Sequence, residues 1–243
     1  MPVHSSTPIL KAFEVQKQLQ ALADPSKVKI LSGFFKTAPG QYGEGDIFIG
    51  VTVPLTRSVA RKFRQLPMEE TLILLKSPIH EERLLAIFIL VEQFHKSEET
   101  GRKEIFTAYL NHCRYVNNWD LVDSSARQIV GSFLKGKNKS LLIKLASSSS
   151  VWERRIAVIA TYAFIIDGDF EETFKIAAIL LKDEHDLIHK AVGWMLREAG
   201  NRDIKAEEKF LIKHYKKMPR TMLRYAIERF PQARRAMYLQ GFV

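Results

Sequence analysis

The chain has 243 residues, 46% hydrophobic and 10% aromatic, with 37 Lys/Arg against 27 Asp/Glu for a formal charge of +10. That apolar share supplies a core and excludes wholesale disorder, and a single cysteine, Cys113, excludes an intrachain disulfide. No run approaches 18 apolar residues and the N-terminus lacks the basic-then-apolar pattern of a signal peptide, so a cytoplasmic chain with no membrane contact is expected.

Residues 8–35 read as two helices split by Asp24-Pro25-Ser26, with Asp24 as N-cap and Pro25 in the first turn of the second. Ala38 to Asp46 holds three glycines and is a loop. It lacks the Lys-Ser/Thr of a phosphate loop and follows no strand, which argues against nucleotide binding. Ile47–Val53 has β-type composition without a partner run and is expected as an extended connector ending at Pro54.

Helices then follow without a convincing strand, at about 56–65, 67–76, 79–96, 102–116, 119–134, 138–147, 150–166, 170–182, 185–200, 203–215, 219–229 and 231–239. Pro67, Pro78, Gly136, Gly168, Gly200, Pro219 and Pro231 punctuate them. Helices of this length joined by short turns over a long chain predict an all-α fold, a curved helical solenoid rather than a four-helix bundle, forming one domain over residues 1–243. The concave side of such a stack is a natural binding surface.

The expected helix 119–134 presents Trp119, Asp123 and Arg127 as successive i, i+4 neighbours beside a buried arc of Leu121, Val122, Ala126, Ile129, Val130 and Phe133. A carboxylate beside an indole is a place to hold a cation. The plainer reading pairs Asp123 with Arg127 and leaves Asp120 to compensate the helix dipole, and spacing does not choose between the two aspartates. Residues 151–166 are apolar nearly all round and belong in the core. Arg154 and Arg155 oppose the dipole near that helix's N-terminus, which suits a ligand anion as well as an ordinary exposed pair. On 185–200, Trp194 points about 120° from the core face, between Lys190 and Arg197, as a contact surface or as packing against the next helix.

Residues 201–243 carry eleven Lys/Arg against four Asp/Glu. Within them Lys213 to Tyr225 interleaves basic and aromatic residues, and Arg220 and Arg224 share a face suited to phosphate. A clustered basic surface favours a polyanion, while a solubilising charge is the bland alternative. His185 and His189 are i, i+4 but lack a third ligand and the Glu of a zinc-protease motif, so no metal is expected.

Trp119-Asp-Leu-Val-Asp123, Trp152-Glu-Arg-Arg155 and His189-Lys-Ala-Val-Gly-Trp-Met-Leu-Arg-Glu198 resemble, in that order, the signature segments of the HEAT-like DNA alkylation-repair glycosylases of the AlkD type. Tyr42-Gly-Glu-Gly-Asp46 and Met218 to Glu228 are similar to further segments of that family, so the resemblance spans nearly the whole chain. It implies a curved solenoid of HEAT-like antiparallel helical pairs gripping duplex DNA, and excision of N3- and N7-alkylated purines. Asp123 would be the catalytic carboxylate, Trp119 and Trp194 the indoles beside it, and Arg155 the DNA-contacting arginine. Arg197 is a secondary candidate in the matched segment, and Arg154, Lys190, Arg220 and Arg224 are basic residues suited to phosphate. The implied enzyme is monomeric and uses no cofactor, and with no lysine in the matched catalytic segment it makes no Schiff base. Two other readings keep the architecture: a non-catalytic DNA-binding or damage-sensing protein, and a scaffold for acidic protein partners.

Overall fold

The computed structural model describes residues 10–243, and the chain contacts gather into two compact units, one ending at Ser124 and one beginning at Ser125. Both are helical. Among the described residues the β structure is a single parallel bridge between Ile47 and Ile79.

The first unit contains α1 (Ala12–Gln20), α2 (Pro25–Phe34), α3 (Val53–Lys62), α4 (Met68–Leu75), α5 (His80–Lys96), α6 (Glu99–Asn111) and α7 (Trp119–Asp123). Asp24 caps α2 through the Ser26 N–H, with Pro25 at the first helical position, as its side-chain chemistry dictates. The stretch after the glycine-rich loop is extended only as far as Thr52, and α3 starts one residue before Pro54. Helix α5 is the core of this unit, packed by α3, α4 and α6, and every residue from His80 to Leu90 is buried. Its first four residues, His80, Glu81, Glu82 and Arg83, are all polar, which burial permits only where each is paired. The Glu81 carboxylate accepts the consecutive backbone N–H groups of Ile49, Gly50 and Val51, and Glu82 accepts from the Gln16 amide.

The second unit contains α8 (Ser132–Leu134), α9 (Ser140–Ala146), α10 (Val151–Ala160), α11 (Tyr162–Ile166), α12 (Glu171–Ile179), α13 (Asp186–Gly200), α14 (Ile204–His214), α15 (Arg220–Ala226) and α16 (Gln232–Gln240). Helix α10 is buried from Arg155 to Ala160 and packs on α9, α12 and α13, while α13 also packs on α14 and α15. Neighbouring helices thus pair as in HEAT-like repeats, and the fold is all-α.

Two expected helices are interrupted. The stretch 119–134 breaks after Asp123 into turns at 124–126 and a π turn at Arg127–Gly131, in which the Gly131 N–H reaches back five residues to the Ala126 carbonyl. The extra residue per turn ends the regular i, i+4 stripe at Asp123. The Arg127 guanidinium lies instead over the Tyr162 ring, 5.4 Å from its centroid. The stretch 150–166 breaks at Thr161, whose hydroxyl donates to the Val158 carbonyl at 2.7 Å. That local bond competes with the helical ladder and separates α10 from α11.

A close approach fixes the position of α15. A Cβ on Gly193 of α13 would come within 2.5 Å of the Met222 carbonyl oxygen and of the Tyr225 Cβ. Gly193→Ala must therefore push α15 away. Overpacking costs about 1–3 kcal/mol and outweighs the ~1 kcal/mol of helix propensity gained. Thermal unfolding of this variant should begin several degrees lower than that of the parent.

Candidate functional site

Of the residues singled out in the sequence, Trp119 and Asp123 fall in the first unit and share one short helix. They are the first and last residues of α7, one helical turn apart, and both are half-buried. Asp120, between them, is buried. The Asn118 side chain caps α7 by accepting the Trp119 N–H at 2.9 Å.

The Trp119 ring is held by aromatic neighbours. It stacks on Phe35 at 5.3 Å with 16° between the planes, and Phe34 meets it edge-on at 5.7 Å. Phe35 in turn stacks on Phe48 and lies 4.8 Å from the His80 ring. Offset stacks of this kind contribute about 0.5–1.5 kcal/mol per pair beyond the area buried. A fixed indole face costs little further ordering when it meets a ligand.

Beneath this stack lies a closed polar cluster. The His80 Nδ1 is 3.0 Å from an Asp46 carboxylate oxygen, and Nε2 is 2.8 Å from an Asp120 oxygen. Arg83 donates to the other Asp46 oxygen and to the carbonyls of Ser77 and Pro78, and the Asn118 amide donates to Asp46 at 3.1 Å. Burial by itself pushes Asp46 up, but His80, Arg83 and Asn118 outweigh it and hold the carboxyl below its usual range. For His80 burial acts first, to lower the pKa, and the bonds to Asp120 and Asp46 overcome it, so the net shift is upward. Gly43 brings the loop bearing Asp46 against α2: a Cβ there would come 2.3 Å from the Phe35 carbonyl oxygen. The glycine-rich loop is thereby a structural strap that delivers a carboxylate.

The remaining candidates lie in the second unit. Trp194, on α13, is half-buried. Its Nε1–H donates to Glu198 at 3.1 Å, and Tyr162 lies 6.1 Å away and reaches the same carboxylate. The flanking cations are engaged: Lys190 with Asp186 at 2.7 Å, and Arg197 with Glu228. Arg154 is bound to Asp183 at 2.6 Å and to the carbonyls of Ser148 and Ser149. Arg155 is buried and donates to the Leu187 carbonyl in the first turn of α13. Both arginines thus tie α10 to the start of α13. Arg220 donates to the Leu239 carbonyl, and Arg224 is exposed on α15. The histidine pair is occupied as well: His185 accepts the Leu187 N–H and His189 contacts the Asp183 carbonyl.

Sequence reading missed Phe35, His80 and Asp120 as supports of Trp119, and Tyr162 and Glu198 as partners of Trp194. Glu198 stands i+4 from Trp194, a helical spacing that can be read from the chain, whereas Tyr162 comes to Trp194 from another helix and has no such local signal. The partners of His80 are 34 and 40 residues away, and no local pattern carries them.

A family model of DNA alkylation repair enzymes matches residues 15–230. No curated protein matches the sequence at a significant level. Among solved structures, one described as a predicted DNA alkylation repair enzyme from Enterococcus faecalis is similar, with a TM-score of 0.66 at 15% identity over 86% of this chain and 97% of that one. A second, smu.31 from Streptococcus mutans UA159, is similar with a TM-score of 0.50 at 16% identity over 88% of this chain and 95% of that one. At such identities the likeness is one of fold.

Proposed function

Because the chain belongs to the DNA alkylation repair enzyme family, we propose that it is a monofunctional glycosylase that excises cationic N3- and N7-alkylpurines from duplex DNA. The observation that carries this reading is the pairing on α7 of a half-buried carboxylate, Asp123, with a stacked, half-buried indole, Trp119. Alkylation at N7 or N3 makes the purine cationic. When the C1′–N9 bond breaks, its electron pair passes to the base and neutralises that charge, so the leaving group needs no acid. Positive charge builds instead on the sugar. The Asp123 carboxylate stabilises it and orients a water, whose oxygen bonds to C1′ as its proton is lost to the carboxylate or to solvent. Indole faces attract a cation by about 0.5–2 kcal/mol each, the part given to Trp119 and Trp194. No helix among the described residues is long and apolar enough to cross a membrane.

For the DNA contacts, Arg224 is exposed, and Lys190, Arg197, Arg154 and Arg220 would exchange their present partners for phosphate. Arg155, buried on Leu187, would act from within by holding the start of α13. The experiment is base release from duplex DNA methylated at purines. The chain at micromolar concentration should liberate 7-methylguanine or 3-methyladenine and leave an abasic site without strand cleavage. DNA binding with no base release would favour the damage-sensing reading instead.

A further inference from the structure

We infer that His80, clamped between Asp46 and Asp120, is a positioning residue of the proposed excision centre, holding α7 so that Trp119 and Asp123 keep a fixed relation. This rests on the function proposed above, but its geometry stands by itself. The residues on both sides of Trp119 in the chain, Asn118 and Asp120, are bound to one cluster: Asn118 to Asp46 and Asp120 to His80. The Trp119 ring leans on Phe35, which touches His80 from the other side. Backbone and ring are therefore set from the same origin. Because α7 is only five residues long, Asp123 follows wherever its first turn goes.

Both ring nitrogens of His80 face carboxylate oxygens. An imidazolium can donate to both, whereas a neutral ring would turn a lone pair toward one of them. The charged groups around it are Asp46 from the loop, Asp120 from α7 and Arg83 from its own helix. The second oxygen of Asp120 is buried with no hydrogen-bond partner, so His80 is the group that compensates this carboxylate. Loss of the proton would free the first turn of α7. The folded state raises the pKa of His80, so the clamp is intact below the ordinary histidine range and is lost as pH rises through the shifted value.

The test uses the full chain with its three tryptophans replaced by 5-fluorotryptophan, the Trp119 fluorine resonance being assigned with Trp119→Phe. On raising the pH the Trp119 resonance should move or broaden while those of Trp152 and Trp194 stay, and in His80→Gln the pH response should vanish. In single-turnover release of 7-methylguanine, His80→Gln should lower the rate at least tenfold with duplex affinity within twofold, and the alkaline fall of the parent's rate should be absent. A Trp119 resonance unmoved by pH in the parent overturns the inference, whether or not the variant folds. A resonance that responds as described in a protein that releases no base keeps the positioning role and removes the excision reading.

Discussion

Asp123→Asn should lower the single-turnover rate of alkylpurine release by about 10²–10³-fold, the range found when one preorganised electrostatic partner of a transition state is removed. The substitution keeps the shape of the side chain and one acceptor oxygen, turns the other oxygen into an NH2 donor, and removes the charge. Since the alkylated base leaves as a neutral molecule, the charge that needs stabilising is the one on the sugar, and a neutral amide cannot supply it. Duplex affinity should stay within about twofold, because a carboxylate contributes nothing favourable to binding a polyanion. Asp120→Asn is the informative contrast. Asp120 is buried on His80, so its amide should act through the stability and placement of α7 and lower the melting temperature. Equal excision by parent and Asp123→Asn would remove the carboxylate from the mechanism.

The difference between those two aspartates marks where the sequence becomes opaque. They stand three residues apart in one short stretch and their spacing does not choose between them; what separates them is that Asp120 is buried on His80 while Asp123 is half-buried. Local signals were read well. The Asp24-Pro25 helix start, the long buried helix expected at 79–96 and found at His80–Lys96, and the breaks at Pro67, Pro78, Pro219 and Pro231 all follow from capping, periodicity and proline geometry. Long-range pairing was not legible. His80-Glu81-Glu82-Arg83 would be assigned to solvent by any polar count, yet all four are buried because Asp46, Asp120, Gln16 and the amides of residues 49–51 come to them from elsewhere in the chain. The same holds for the basic residues. Net charge announces a polyanion, but it does not reveal that Arg154, Lys190 and Arg197 already hold acidic neighbours. The break after Asp123 has a comparable origin, since a π turn is a rearrangement of backbone bonds with no side-chain period of its own.

The second large effect concerns stability. Glu207, in the first turn of α14, is 1% exposed, and one of its carboxyl oxygens is buried without a hydrogen-bond partner. Burial, then the neighbouring Glu208 charge, pushes its pKa up to about 9, against a weaker opposing pull from Arg197. The folded state therefore holds a proton that the unfolded chain releases above its ordinary value of 4.5. The resulting stabilisation is complete below that value and is lost progressively as pH rises to about 9. Each pH unit in this window costs about 1.4 kcal/mol, so ~4 kcal/mol should disappear between pH 5.5 and 8.5. Glu207→Gln removes the titration. Its buried amide has hydrogen atoms to satisfy and can cost about 1–3 kcal/mol at any pH, so the decisive quantity is the change of slope rather than the stability at one pH. Urea unfolding of parent and variant at pH 5.5, 7 and 8.5 should give curves that approach or cross as pH rises, with the variant favoured at the alkaline end. The upward shift of His80 also lowers stability with rising pH, but it is common to both proteins and cancels in the difference. Parallel pH dependences would mean that Glu207 ionises in the folded chain at no greater cost than in water, and that its burial is relieved by a movement of α14.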